Sequence, residues 1–419
     1  MYFGKSELAG FEAASRREWF VSNGLDSYSF GTACGANTRR EHGLWVRRGG
    51  DGLFRVMVAK LEEELSFSGK WYKLSTNKYR DLVYPDGYRY LQEFSFGAYP
   101  SFLYVVHDLM LEKSVLAPEG RRFVAVRYRL MSPGEGASLR VRPLFAHRGV
   151  SELNEAEHPF ELQSRGGGLF CVRGRGETTC VQVRGSFELE GKPLWFEHVD
   201  YPFSAEEGLL GCDRLWSFGE LMLELEDERP VYLLFGPSPG ELESVSDVEE
   251  LFVRARREAS SLQRRFSSVP MASTLALSAR NLVFRDEKGR FVVSGLPSMG
   301  ESSCDAFAAL PGLCAVSSDP EGLFGEVVER WISRARDDFI PSGVDGASGE
   351  PLFELAETGL WLAYAFDGIS QQESGSELVE RFWPQLVRVL RRYKSPFPEI
   401  GLRMGEDGLL RLEGSRGHW

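Results

Sequence analysis

The stretch GESSCDAFAALPGL, residues 300–313, sets one aspartate, Asp305, at the head of an apolar run with helical character. A carboxylate in that position has two readings. It can sit in the first turn and answer the positive end of the helix dipole, or it can form one wall of a site that holds sugar hydroxyls. The other chemistry-bearing residues narrow the field by exclusion. The chain contains no GxSxG elbow, P-loop or HExxH motif, and its six histidines (42, 107, 147, 158, 198 and 418) lack metal-ligand spacing. The glycine clusters GRGE and RGGGLF lie in a β context and read as hairpin turns rather than phosphate cradles. No Asp-rich calcium loop occurs. Carboxylates and aromatics remain, the latter as 29 Phe, 14 Tyr and 9 Trp. Carbohydrate sites draw on these types, because an aromatic face stacks on a sugar ring while carboxylates hold its hydroxyls. Large β-sandwiches also bury many aromatics, so composition alone does not decide between the two.

The elements that must position these residues fall into two halves. From Trp19 to about Ser238 the chain is a series of short aromatic and β-branched runs: RFVAVRYRLM (122–131), LRVRPLFAH (139–147), GLFCVRG (168–174), TTCVQVRG (178–185) and LMLELE (221–226). These alternate with period two, as strands with one solvated face do, and turn signals such as PDG (85–87) and SPGEG (132–136) separate them. The pattern predicts a large β-sandwich. After GPSPGE (236–241) the period becomes helical. Ser246 with Glu249 three residues later predicts a capping box that opens a long amphipathic helix over 246–266. Further helices are predicted at about 271–285, 304–317, 320–338, 352–369 and 374–394. Only about six helices can be drawn, so a ring of packed helices would be unfinished.

Composition excludes several partners. At 419 residues and a formal charge of −12, the chain is long enough for two domains and has the wrong sign for nucleic acid or anionic membrane. The basic patch RARREASSLQRR (254–265) reads as a solvated helix face. Six cysteines without a CxxC pair suit reduced thiols, the N-terminus lacks a signal-peptide apolar region, and no run approaches the ~20 residues of a membrane helix. A cytoplasmic protein is expected.

One stretch is far more specific than these averages. REWFVSNGLDSYSFGTACGANTRREHGLWV (17–46) closely resembles the opening motif of bacterial and archaeal-type glycogen debranching enzymes, the amylo-α-1,6-glucosidases. The similarity continues in family order through AKLEEEL (59–65), LSTNKY (74–79), YPDGYRYLQEF (84–94) and WFEHVDYPFSAEEGLLGCDRLWSFG (195–219). It extends to FAALPGL (307–313), FIPSG (339–343), LWLAYAF (360–366) and DGLL (407–410). The resemblance implies an N-terminal β-supersandwich followed by an α/α toroid, six-fold when complete and incomplete here. The expected division is a sandwich over 1–245, a linker helix over 246–270 and a partial glucosidase domain over 271–419. It also implies α-glucan (glycogen or limit dextrin) as substrate, hydrolysis of α-1,6 branch points with inversion, and no metal or organic cofactor. Inversion requires a carboxylic acid and a carboxylate base roughly 6.5–9.5 Å apart.

The departures from the family pattern bear on the site. Where the family reads D-W-G-R-D-T-F, this chain reads ESSCDAF, with Ser302 in place of the tryptophan and Cys304 in place of the arginine. Asp305 keeps its place as a sugar-contacting candidate, but a thiol cannot imitate a guanidinium fork. In FELAETGLW (353–361), Glu357 takes the position of the family aspartate and Trp361 is kept. The resemblance makes both substrate-binding candidates; the plainer reading of Trp361 is packing on a helical stripe with Leu360 and Tyr364. In the N-terminal motif, Arg39, Arg40 and His42 either line a cleft or fix a domain interface. The family's general acid is expected just beyond a tryptophan equivalent to Trp419, and its base later still, so no catalytic residue is assigned. Two rival expectations follow: a non-catalytic α-glucan-binding or scaffold protein, and a half-toroid whose apolar helix faces are covered by a protein partner or a second copy.

Overall fold

The computed structural model describes residues 1–412 apart from 210, 270, 298, 346, 347, 373 and 374; Trp419 therefore lies outside the described residues. The chain divides into two compact units, Met1–Arg265 and Phe266–Trp419.

The first unit is built on two large antiparallel sheets. One has nine strands in the order Tyr2–Gly4, Leu91–Phe96, Pro100–Val106, Leu109–Leu116, Val124–Leu130, Val231–Gly236, Glu177–Arg184, Leu169–Gly174 and Phe160–Gly166. The other has ten, with Phe54–Phe67 paired between Ser138–Gly149 and Gly43–Arg48 at its centre. Val124, Val126, Tyr128 and Leu130 from the first sheet share one core with Leu61, Leu65, Leu139 and Val141 from the second. The alternation expected of a sandwich is thus realised, and the strands predicted at 139–147, 168–174 and 178–185 form as Ser138–Gly149, Leu169–Gly174 and Glu177–Arg184. The GRGE glycine sits in a two-residue turn, with Arg175 at φ 52° and Gly176 at φ 78°, as a tight hairpin requires.

The outer face of the nine-stranded sheet is also buried. Phe123 and Ala125, out of phase with the core-facing Val124 and Val126, pack with Leu234, Cys180 and Phe252 of the Val248–Arg265 helix. That helix does not open with the expected capping box. Asp247 caps it by accepting the Glu250 amide at 3.1 Å. Glu249 instead accepts from Arg127 at 2.8 Å and from Tyr232 at 2.7 Å. The Arg127 guanidinium is fully buried, so an anion brought down by the helix is a stronger demand than a local cap.

The second unit is mainly helical. Helices run over Ala272–Arg280, Ser303–Val316, Pro320–Ile332, Thr358–Ser370 and Gly375–Arg392. Three predicted spans are too long. Residues 283–286 leave the helix to pair with 289–292 as a hairpin. The 320–338 span stops at Ile332, and Asp337 and Asp338 adopt positive φ. The 352–369 span begins only at Thr358. The DGLL tail forms a hairpin, Leu402–Met404 with Leu410–Leu412.

Two of these helices run side by side and parallel. Ser303 Oγ donates to the Pro341 carbonyl at 2.7 Å and Thr358 Oγ1 to the Ile340 carbonyl at 2.9 Å, so both N-termini hang from one segment. Farther along, Gly368 rests on the Pro311 ring. Phe307, Leu310, Leu313, Leu362, Ala365, Phe366 and Ile369 meet there at three- and four-residue spacing. Leu323, Phe324, Val327, Leu378, Phe382 and Leu386 of the two flanking helices complete the core.

Candidate functional site

The two helices that start from the 340–341 segment carry two of the expected carboxylates at their N-termini. Ser302, not Asp305, is the cap of the Ser303–Val316 helix: its hydroxyl accepts the Asp305 amide at 3.3 Å. Asp305 is thereby left in the first turn with an exposed side chain. Glu357 precedes the Thr358–Ser370 helix at the N-cap position, yet its side chain makes no cap bond. Both carboxylates act on the Cys304 thiol. Burial, then the charge of Glu357, and more weakly that of Asp305, push Cys304 up to about 12. A thiol so held is neither a nucleophile nor a cation, so nothing at position 304 offsets the two carboxylates. Tyr393 buttresses the second helix: its hydroxyl accepts from the Gly359 amide at 2.9 Å and donates to the Ala356 carbonyl at 2.5 Å.

Trp361 is half-buried against the core of the second unit, with Tyr364 edge-on at 5.6 Å. The stripe expected to enter the core with it stays outside. Leu360 is 46% and Tyr364 53% exposed, so Trp361 stands at the boundary between core and an open apolar face.

Arg39 and His42 meet in the first unit on Glu18, whose part in the motif only folding reveals. One Glu18 oxygen, Oε1, accepts from Arg39 Nε at 2.9 Å and from His42 Nε2 at 3.0 Å. His42 Nδ1 accepts the Thr38 amide at 3.1 Å, which leaves its only proton on Nε2. The ring is buried, and burial outweighs the pull of Glu18 to hold it below the ordinary histidine range. The contact is therefore a neutral imidazole donating to a carboxylate. Burial opposes the Glu18 charge, but His42 and Arg39 overcome it and keep this carboxyl below its usual range.

Glu18 and Arg39 line a cleft of about 220 Å³ with Arg16, Phe203, Glu206 and Glu207. Arg39 Nη1 donates to Glu207 at 2.6 Å, and the Arg16 and Arg39 guanidinia lie 5.1 and 5.5 Å from the Phe203 ring. Phe203 is held by its own amide, which donates to the Thr38 carbonyl at 2.9 Å. Arg40 turns inward, donating to the Ser151 carbonyl at 3.2 Å while its amide donates to Ser204 Oγ at 3.0 Å. On the same loop, Thr38 Oγ1 and Glu41 Oε2 are buried without a hydrogen-bond partner, and burial raises the Glu41 carboxyl. Glu18, Phe203 and Glu207 lie within the strings 17–46 and 195–219, which were legible as motifs; only folding shows that the two strings form one cleft. Among the described residues no group of three His, Cys, Asp or Glu is arranged to hold a metal, and no helix is long and apolar enough to cross a membrane.

A bacterial glucoamylase complexed with acarbose matches with a TM-score of 0.50 over 86% of this chain and 57% of its own, at 10% identity. A family GH92 α-mannosidase from Bacteroides thetaiotaomicron in complex with mannoimidazole matches at 0.36 over 98% and 62%, also at 10% identity, and is too distant to carry weight. The chain thus spans less than two thirds of either structure. No curated protein sequence matches it. The fold is of the kind that joins stacked β-sheets to paired helices, shared at this level with the glucoamylase. Residues 17–232, more than half of the 419, match the family described as glycogen debranching enzyme N terminal, and the chain belongs to that family.

Proposed function

We propose that this protein is an α-glucan-recognising member of the glycogen debranching family, serving the hydrolysis of α-1,6 branch points in cytoplasmic glycogen breakdown. The observation that supports this reading best is the pair Asp305 and Glu357, set at the N-termini of two neighbouring parallel helices, with the charge of each reaching Cys304. Two carboxylates at such ends can accept hydrogen bonds from sugar hydroxyls while the helix dipoles favour their charge. The half-buried ring of Trp361, one turn into the second helix, supplies an aromatic surface close by. Neither carboxylate is assigned as general acid or base, because inverting hydrolysis needs two groups that hold and take a proton across a water. The inert Cys304 favours a second reading, in which the chain binds α-glucan as a non-catalytic or scaffold component.

Affinity electrophoresis through a glycogen-containing gel, run beside an assay of glucose release from branched limit dextrin, tests both. Retardation that disappears in the double variant Asp305→Asn, Glu357→Gln is expected. Unretarded wild-type protein would remove the glucan reading, and glucose released above a blank would remove the non-catalytic one.

A further inference from the structure

The Glu18–Arg39 cleft of the first unit has no role in the reading above, and its construction points to a ligand. It contains two guanidinia and three carboxylates, so it is not a basic pocket and offers little to a phosphate. Its groups are already cross-paired, each with capacity left over. Glu18 spends one oxygen on Arg39 and His42, and Oε2 has no protein partner among the described residues. Arg39 spends Nε on Glu18 and Nη1 on Glu207, and Nη2 has none. An acceptor oxygen and a donor nitrogen, fixed side by side by a shared hydrogen bond, match two adjacent hydroxyls. One hydroxyl accepts from the guanidinium and the other donates to the carboxylate. The volume of about 220 Å³ is below the range of pockets that hold drug-sized ligands and suits one sugar ring better than a large planar cofactor.

The loop that carries Arg39 also carries unpaired buried polar groups. The Thr38 hydroxyl and one Glu41 oxygen are buried without partners, and a buried polar atom left unpaired destabilises by about 1–3 kcal/mol. Such groups ask for an explanation other than stability. Meanwhile His42, buried and locked in one tautomer by the Thr38 amide, orients Glu18 without approaching the cleft itself. It is a positioning residue.

We propose that this cleft is a second carbohydrate subsite, in which Glu18 and Arg39 clamp the vicinal diol of a single neutral glucosyl unit. The identity of the sugar as glucosyl rests on the α-glucan reading; the diol clamp itself does not. Isothermal titration of the full-length chain with maltoheptaose, with inorganic phosphate as a second probe, tests it. Glu18→Gln and Arg39→Lys are expected to weaken maltoheptaose binding about tenfold or more with the melting temperature unchanged. His42→Ala is expected to weaken it similarly, and His42→Gln, whose amide can still donate to Glu18, to restore most of it. Equal affinity in wild type and Glu18→Gln, or phosphate binding more tightly than the sugar, would overturn the proposal. Wild-type protein unretarded by glycogen, with a sugar still bound here and weakened by Glu18→Gln, would remove the α-glucan reading and keep this site. The reverse pattern would sink this site alone.

Discussion

Gly368 lies against the ring of Pro311, so close that a methyl group at position 368 would stand 2.6 Å from Pro311 Cγ. This contact sets how nearly the two parallel helices approach away from their N-termini. A glycine inside a helix normally costs stability relative to alanine; here it is what allows the two helices to close.

Gly368→Ala should therefore destabilise the second unit by about 1–3 kcal/mol, since overpacking outweighs the gain in helix propensity. Gly312, on the neighbouring helix with no atom within 4 Å of a Cβ, is the control, and Gly312→Ala should stabilise by about 0.5–1 kcal/mol. Thermal denaturation of the two variants gives opposite signs, and equal signs would refute the assignment.

The loop before the Ser303–Val316 helix is pinned by Arg330. Its buried guanidinium donates to Glu301 at 2.9 and 3.1 Å and to Asp286 at 2.9 Å, while Arg334 adds a bond to Glu301 at 3.0 Å. Arg330→Met should cost about 3–5 kcal/mol, because it leaves Glu301 buried and less compensated. Burial would raise the Glu301 carboxyl, yet the two arginines hold it below the usual range. Its contribution is thus complete above the ordinary glutamate titration and lost as pH falls through the lower folded value. Denaturant titrations at pH 7 and pH 4 should show the wild type losing more than the variant. Parallel losses would contradict this.

His147 gives the first unit a second acid sensitivity. Its ring donates from Nδ1 to the Gly174 carbonyl at 3.0 Å and accepts from Thr179 Oγ1 at 2.8 Å, and burial pushes it down to about 4. The unfolded chain binds the proton first, near pH 6.5. Stability from this group is full above that value and drains as pH falls toward about 4, by about 1.4 kcal/mol per pH unit at most. His147→Asn tolerates the positive φ of 46° and should flatten this slope, though it starts from a less stable fold. A wild-type minus variant difference that does not change with pH would count against the assignment.

Cys212 is the exposed thiol among six, and it donates to Asp200 Oδ1 at 2.9 Å. That hydrogen bond, more than burial, raises the thiol and slows its reaction. Maleimide labelling at pH 8 should modify one cysteine in the native chain, and Asp200→Asn should speed it several-fold by releasing the thiolate. Labelling of several buried cysteines at comparable rates would show that the native packing is otherwise.

The sandwich was readable because alternation along a strand is imposed by geometry and survives without knowledge of partners. Helix lengths were not, since VFRDEKGRFV carries enough apolar residues to extend a helical pattern while its Glu287-Lys288 turn folds it back as a hairpin. Glu249 looked like a cap because a cap is a local device; Arg127, 122 residues earlier, outbids it. Likewise Arg39 and His42 were visible in one motif, but Glu18 and Glu207 join them only through tertiary folding, and the exposure of Leu360 and Tyr364 is invisible to a helical stripe. Long-range charge pairing is what the linear pattern conceals.

Arg127 carries one more implication. Between its clamp to Glu112 at 2.9 Å and to Glu249 at 2.8 Å, and with the Phe252 ring 4.5 Å away, it rivets the Val248–Arg265 helix to the nine-stranded sheet. Any excised version of the sandwich that stops where its strands stop would therefore leave Arg127 without Glu249 and uncover the Phe123–Ala125 face at once. The autonomous piece, in terms of charge as well as grease, closes only after the helix has been wound on.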